Sequence, residues 1–136
     1  DPAANDLSLV AYCDDLRLEQ ALINLVGNAL DALETVDEPR LSIDIDVGPD
    51  ALAIVVRDNG PGIPADVLPR LFEPFFTTKA MGKGLGLGLA IASSIARDCG
   101  GSLSAYNEAG GGAAFVLTLR RADAVTTTLP DAASSR

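Results

Sequence analysis

The sequence predicts an α+β domain, an antiparallel sheet backed by helices, on three observations. Apolar residues recur at three- and four-residue spacing from Leu16 to Leu33 and again from Leu85 to Cys99. Alternating or β-branched runs occupy positions 41–57 and 102–119, and clusters of Gly, Pro, Asp and Asn separate them. With 136 residues, 48% of them hydrophobic and 21% charged, the chain is expected to form one globular domain over residues 1–121. The tail, ending "TTTLPDAASSR", is too poor in apolar residues to pack, and residues 122–136 are expected to be disordered.

In chain order, Leu7 to Tyr12 reads as a short strand, and Asp14 or Asp15 is a plausible N-cap for the helix that follows. That helix buries Leu18, Leu22, Leu25, Ala29 and Ala32 on one stripe. "LSIDIDV" places Leu41, Ile43, Ile45 and Val47 on one face of a strand, and Gly48-Pro49-Asp50 turns it into a second strand, "ALAIVVR". "DNGPGIP" is a loop whose glycines permit backbone angles other residues avoid. "ADVLPRLF" allows a turn or two of helix, and "EPFFTTKAMGKG" reads as irregular. A second helix follows and is stopped by "CGG", after which "SLSAYN" and "AAFVLTL" form a hairpin around Gly110-Gly111-Gly112.

Composition excludes several function classes. The net charge of −9 repels nucleic acid and anionic membrane surfaces, so any phosphate recognition has to be local. No histidine is present, which removes Ser/His/Asp and Cys/His catalysis. Cys13 and Cys99 are far apart in the chain and are expected to be free, buried thiols in a reducing compartment. No apolar run reaches 18 residues, and the first residues lack the basic and apolar regions of a signal peptide, so the piece is expected to be soluble.

Three features carry chemistry. "GKGLGLGLA" lacks the Ser or Thr of a Walker loop and the third glycine of a dinucleotide turn, and glycine is costly inside a strand. What remains is a glycine-rich entry into a helix, either a plain flexible connection or a place where free N–H groups and the helix dipole attract an anion. The only two lysines of the chain, Lys79 and Lys83, lie in the same short segment that borders these glycines and favour the anion. On the first helix, Gln20, Asn24, Asn28 and Asp31 share a sector of about 80° at 100° per residue. Asparagine is a poor helix former, and its carbonyl oxygen suits Mg²⁺ or hydrogen bonding, which gives Asn28 in particular a task beyond solvation. Asp58 ends an apolar strand, where its carboxylate could fix the amine of a purine with Gly60 and Gly62 beside the ring. A simple turn is the alternative there.

Taken in order, these segments resemble the ATP-binding catalytic domain of bacterial sensor histidine kinases, in the superfamily shared with gyrase, MutL and the heat-shock chaperone ATPases. "QALINLVGNALDAL" is similar to the N box, "DNGPGIP" and "GKGLGLGLAIA" to the two glycine boxes, "LFEPFFTTK" to the F box and "GGGAAFVLTL" to the closing segment. The resemblance covers about residues 7 to 120. It implies a Bergerat-type α/β sandwich, a mixed, mainly antiparallel sheet of about five strands against three helices, with ATP between the N-box helix and a lid. By the resemblance Asn28 is the Mg²⁺ ligand, with Asn24 assisting. Asp58 takes the adenine amine, with Gly60, Gly62 and Ile63 around the ring. Thr78 and Lys79 enter the lid, and Lys83, Gly84, Leu85, Gly86 and Leu87 face the phosphates. Catalysis is thereby assigned to Asn24, Asn28 and Lys79. Gyrase-type hydrolases hold a water-activating glutamate four residues before the metal asparagine; here that position is Asn24, which suits a kinase. Asp31 stands where many histidine kinases have a basic residue, and it joins the nucleotide-binding candidates. A chain without histidine cannot contain the phosphate acceptor. The implied partners are therefore a separate dimerisation domain bearing that histidine and a response regulator, with no nucleic acid. The parent protein is expected to be a membrane-anchored sensor with this domain in the cytoplasm, most similar to the nitrogen-regulation and C4-dicarboxylate sensors. The alternative is a non-catalytic binding module of the same superfamily, as in anti-sigma factors.

Overall fold

The computed structural model describes residues 14–76 and 87–121. Helix α1 spans Asp15–Ala32, strand β1 Leu41–Val47, β2 Ala51–Asp58, helix α2 Gly88–Asp98, β3 Ser102–Asn107 and β4 Ala113–Arg120, with one 3₁₀ turn at Leu68–Arg70. The four strands form one antiparallel sheet in the order β1-β2-β4-β3. Of the five strands expected, the one at Leu7 to Tyr12 lies outside the described residues, as does the tail after Arg121.

Every second residue of β2, Leu52, Ile54, Val56 and Asp58, is buried, so one face of the sheet carries the helices. Leu18, Ala21, Leu25 and Ala29 of α1 and Ala92, Ile95 and Ala96 of α2 close the core against Phe115, Leu117 and Leu119 of β4. The first helix buries Leu18, Leu25 and Ala29 of the predicted stripe, with Leu22 and Ala32 half-buried, and its ends fall within a residue of the expected bounds. Asp14 occupies the N-cap position, but its side chain makes no cap hydrogen bond. The second helix begins at Gly88, later than its apolar repeat suggests, and ends as "CGG" predicts. Gly100, at φ 78°, lets its own N–H reach Arg97 O at 3.1 Å and lets Gly101 N–H reach Ala96 O at 2.9 Å, a Schellman stop.

The cysteine expectation needs correction. Cys99 is buried as expected but disulfide-bonded, and so is not a free thiol. The chain's other cysteine, Cys13, lies outside the described residues. Antiparallel packing brings the start of α1 to the end of α2, where Arg17 pairs with Asp98 at 2.8 Å. Distance along the chain concealed that proximity, and the cysteines no longer argue for a reducing compartment.

The two α-helices among the described residues do not span the whole sheet. Ile43, Ile45 and Val47 share the helix-side face of β1, as their alternation predicts, yet they remain about half exposed, and Leu16, Ile23 and Leu30, on the side of α1 away from the core, are more than half exposed. The cross-strand partners Ile45 and Ile54 thus differ in environment, with exposures of 50% and 1%. Ile45→Thr is expected to cost about 0.5–1 kcal/mol in a urea unfolding titration. Ile54→Thr, which loses packing and buries a hydroxyl, should cost about 2–4 kcal/mol.

Candidate functional site

The polar stripe of α1 is the floor of the site. Its upper end meets the first turn of α2, where the Asn24 side-chain Nδ2 donates to the Gly88 carbonyl at 3.1 Å. Its lower end meets the loop after β2, because Gly60 lies against the carbonyl of Ala32 so closely that a Cβ there would stand 2.8 Å from it. Asn28 lies between these ends, and its carboxamide makes no hydrogen bond among the described residues. Asn24 and Ala32 are eight residues apart, so the floor is about 12 Å long at 1.5 Å per residue. Gln20 continues the stripe outward and is exposed, while Asp31, half-buried, already engages another residue.

The loop after β2 is held by side chains in place of a strand ladder. Asp58, 5% exposed, accepts through Oδ1 from Gly60 N at 2.9 Å and from Ala113 N at 3.4 Å. One carboxylate oxygen is thus committed to the fold, and the other makes no hydrogen bond among the described residues. Asn59 turns the opposite way: its Oδ1 accepts from Arg40 N at 2.7 Å and its Nδ2 donates to Glu38 O at 2.9 Å. Gly62, at φ 83°, directs the chain into Ile63, whose side chain packs on the core and whose backbone is bound by Asn107. Beyond it, Phe72 stacks edge-on against Phe115 with centroids 6.4 Å apart, and the Arg70 guanidinium lies 4.5 Å from the Phe76 ring centre. These contacts anchor the segment that leads toward residue 77.

The structure brings together Asn24, Asn28, Asp58, Gly60, Gly62, Ile63 and Leu87, the last capping the start of α2. Thr78, Lys79, Lys83, Gly84, Leu85 and Gly86 lie outside the described residues. Asn59, Asn107 and the backbone N–H of Ala113 were missed by sequence reasoning. Asn59 looked like an ordinary turn residue, and nothing local marks Asn107, because its partner is 44 residues away.

A cavity of about 720 Å³ beside Asp58 opens away from this floor, between Arg40, Ser42, Arg57, Glu108 and Gly110. Its principal charge is already paired: Arg57 bonds Asp44 at 2.6 Å and Glu108 at 2.9 Å. Hydrogen bonding to Glu108, above all, raises the guanidinium pKa further above its usual value, so Arg57 stays charged. This network ties the end of β2 to the middle of β1 and to the residue that follows β3.

A sheet-backed helix carrying amides, with a glycine loop at one end and a glycine-started helix at the other, defines a nucleotide-binding α/β sandwich. The chain belongs to the histidine kinase-, DNA gyrase B-, and HSP90-like ATPase family, which it matches over residues 13–123. It is 44% identical over 84% of its length to the C4-dicarboxylate transport sensor protein DctB of Pseudomonas aeruginosa, of which it covers 19%. It is 40% identical over 90% of its length to the sensor protein FixL of Bradyrhizobium diazoefficiens, of which it covers 23%. The chain therefore spans about a fifth of the length of these curated relatives. Among solved structures, the catalytic domain of histidine kinase ThkA superimposes with a TM-score of 0.70 at 34% identity, over 80% of this chain and 70% of that one. The mycobacterial sensor histidine kinase MprB gives 0.70 at 29%, over 79% and 74%. The fold is that of histidine kinase catalytic domains, and the family's fold is one that binds ATP.

Proposed function

We propose that this domain binds Mg-ATP across the α1 floor and passes the γ-phosphoryl group to a histidine on a separate dimerisation domain, from which a response regulator is phosphorylated. The observation that carries the proposal is Asn24. Its amide nitrogen is committed to the Gly88 carbonyl, and an amide cannot take a proton from water. The floor therefore holds no base at the position where the hydrolases of the superfamily hold a glutamate, and bound ATP persists until an acceptor arrives.

The residues present suit the remaining parts. The free carboxylate oxygen of Asp58 accepts from the adenine amine, while Gly60, Gly62 and Ile63 shape the slot around the ring. Leu87 and the first turn of α2 offer N–H groups and the positive helix end to the phosphates, and Thr78, Lys79, Lys83, Gly84, Leu85 and Gly86, outside the described residues, are assigned to the same phosphates by their sequence. Asn28 supplies a hard carbonyl oxygen, and no cluster of three His, Cys, Asp or Glu occurs among the described residues. This donor set fits a Mg²⁺ held by one or two side chains and the phosphates themselves. When bound, the ion neutralises charge on the β- and γ-phosphates. Asn28 orients it, with Asn24 and Asp31 one turn away on either side. We place the parent protein among membrane-anchored sensors of the C4-dicarboxylate and nitrogen-regulation kind, with this domain in the cytoplasm. No helix among the described residues is long and apolar enough to cross a membrane.

The test mixes the domain with a histidine-bearing dimerisation domain and ATP labelled at the γ-phosphate. Label on histidine is expected; label released to water with none on protein refutes the kinase assignment. Nucleotide binding without any transfer would instead favour a binding module of the anti-sigma type. In the same system Asn28→Ala is expected to weaken ATP binding about tenfold or more with Mg²⁺ present and little in EDTA, measured by calorimetry, since a bond to a charged group is worth about 1.5–3 kcal/mol.

A further inference from the structure

The loop between Asp58 and Ile63 is tied at its first end through Asp58 and Asn59, while at its second end the Ile63 side chain packs on the core and its backbone is held by one side chain. Asn107, the last residue of β3, accepts through Oδ1 from Ile63 N at 2.7 Å and donates through Nδ2 to Ile63 O at 2.8 Å. The carboxamide thus reproduces the paired hydrogen bonds that a neighbouring strand would make, and so extends the sheet by one peptide into the loop. Gly62 answers it sterically: a Cβ there would stand 3.0 Å from Asn107 Oδ1, so the amide can come this close only because residue 62 is glycine. At φ 83° the same glycine turns the chain so that both polar groups of Ile63 face one side chain.

We infer that Asn107 is a positioning residue for base recognition: it fixes Gly62 and Ile63 at a set distance from the Asp58 carboxylate and thereby defines the width of the slot that a 6-aminopurine enters. This rests on the nucleotide-site assignment given above. Asn107 touches no ligand itself. Its effect passes through Ile63, and it determines how well the free Asp58 oxygen meets the exocyclic amine.

The readout that isolates this role is discrimination between ATP and inosine triphosphate, which differ at purine position 6 in carrying an amine or an oxygen. For the wild-type chain, titration calorimetry with Mg²⁺ is expected to show ATP preferred about ten- to a hundredfold, the worth of one charge-assisted hydrogen bond. Asn107→Ala is expected to weaken ATP binding about tenfold and to lower that preference severalfold, because the loop drifts from Asp58. Asn107→Asp keeps the acceptor for Ile63 N, loses the donor to Ile63 O and preserves side-chain size; should the alanine variant fail to fold, it tests the same point, again with a lowered preference. Ile45→Thr, remote from the site, serves as the stability control and should keep the wild-type preference. If both Asn107 variants melt earlier yet discriminate as the wild type does, Asn107 is only a structural brace and the inference is overturned. If the wild type itself fails to prefer ATP, the nucleotide-site assignment falls, and the inference with it.

Discussion

Gly112→Ala lowers the thermal midpoint by 15 °C or more, or leaves the chain unfolded, corresponding to about 4 kcal/mol or more for a domain of this size. Residue 112 has φ 95°, where an L side chain costs about 1–3 kcal/mol. The added Cβ would stand 1.9 Å from the carbonyl oxygen of Asp58 and 2.9 Å from the Cα of Asn59. Both obstacles are backbone, so no rotamer change relieves them, and the overlap adds about 1–3 kcal/mol or more. The displaced segment is the one that delivers Ala113 N–H to Asp58, so nucleotide binding should fail together with stability. Gly110→Ala is the internal comparison: nothing lies within 4 Å of its Cβ position, and its midpoint should move by only a few degrees. Differential scanning calorimetry of the two variants checks the contrast. Equal midpoints would mean that the β3–β4 turn does not press on the loop after β2.

These two glycines stand two residues apart in a run of three that the sequence shows only as a turn. Local pattern carries what local physics decides. The three- and four-residue repeat placed Leu18, Leu25 and Ala29 in the core, because a helical stripe has to bury its apolar side. "CGG" gave the end of α2, since a Schellman stop needs glycine at its left-handed position. The candidate site was legible to the same degree: Asn24, Asn28 and Asp58 stood out because an amide in mid-helix and an acid closing an apolar strand conflict with their local setting.

What stayed hidden is tertiary. Alternation in β1 identified the face of Ile43, Ile45 and Val47 but could not say whether anything covers it, and among the described residues little does. The helix register told that Asn24 shares a face with Asn28. That its amide bonds the Gly88 carbonyl follows only from how α2 crosses α1. Arg17 pairs with Asp98 because two helix ends meet, and Asn107 acts on Ile63 because β3 ends beside the loop; neither juxtaposition leaves a trace in spacing or composition.

Asp58→Asn should invert the base preference of the site rather than abolish binding. Oδ1 of Asp58 accepts from two backbone donors, Gly60 N and Ala113 N, so the position it occupies has to hold an acceptor. When the carboxylate becomes a carboxamide, its one oxygen is drawn to those donors, since an NH₂ group there would face two N–H groups and leave them unpaired at about 1–3 kcal/mol each. The NH₂ group is then directed to the oxygen's former place against purine position 6. Two donors, the amide and the adenine amine, now oppose each other, whereas a 6-oxo purine presents an acceptor and regains the bond. ATP binding is expected to weaken about 100-fold, while inosine triphosphate binds the variant more tightly than it binds the wild type. Asp58→Ala, which supplies neither acceptor nor donor, should weaken both nucleotides and cost stability through the orphaned Ala113 N–H. Calorimetric titration of both variants with both nucleotides separates the outcomes. Were Asp58→Asn and Asp58→Ala to lose the two nucleotides alike, the free oxygen would not be reading position 6, and the adenine end of the site would have to be sought elsewhere along the α1 floor.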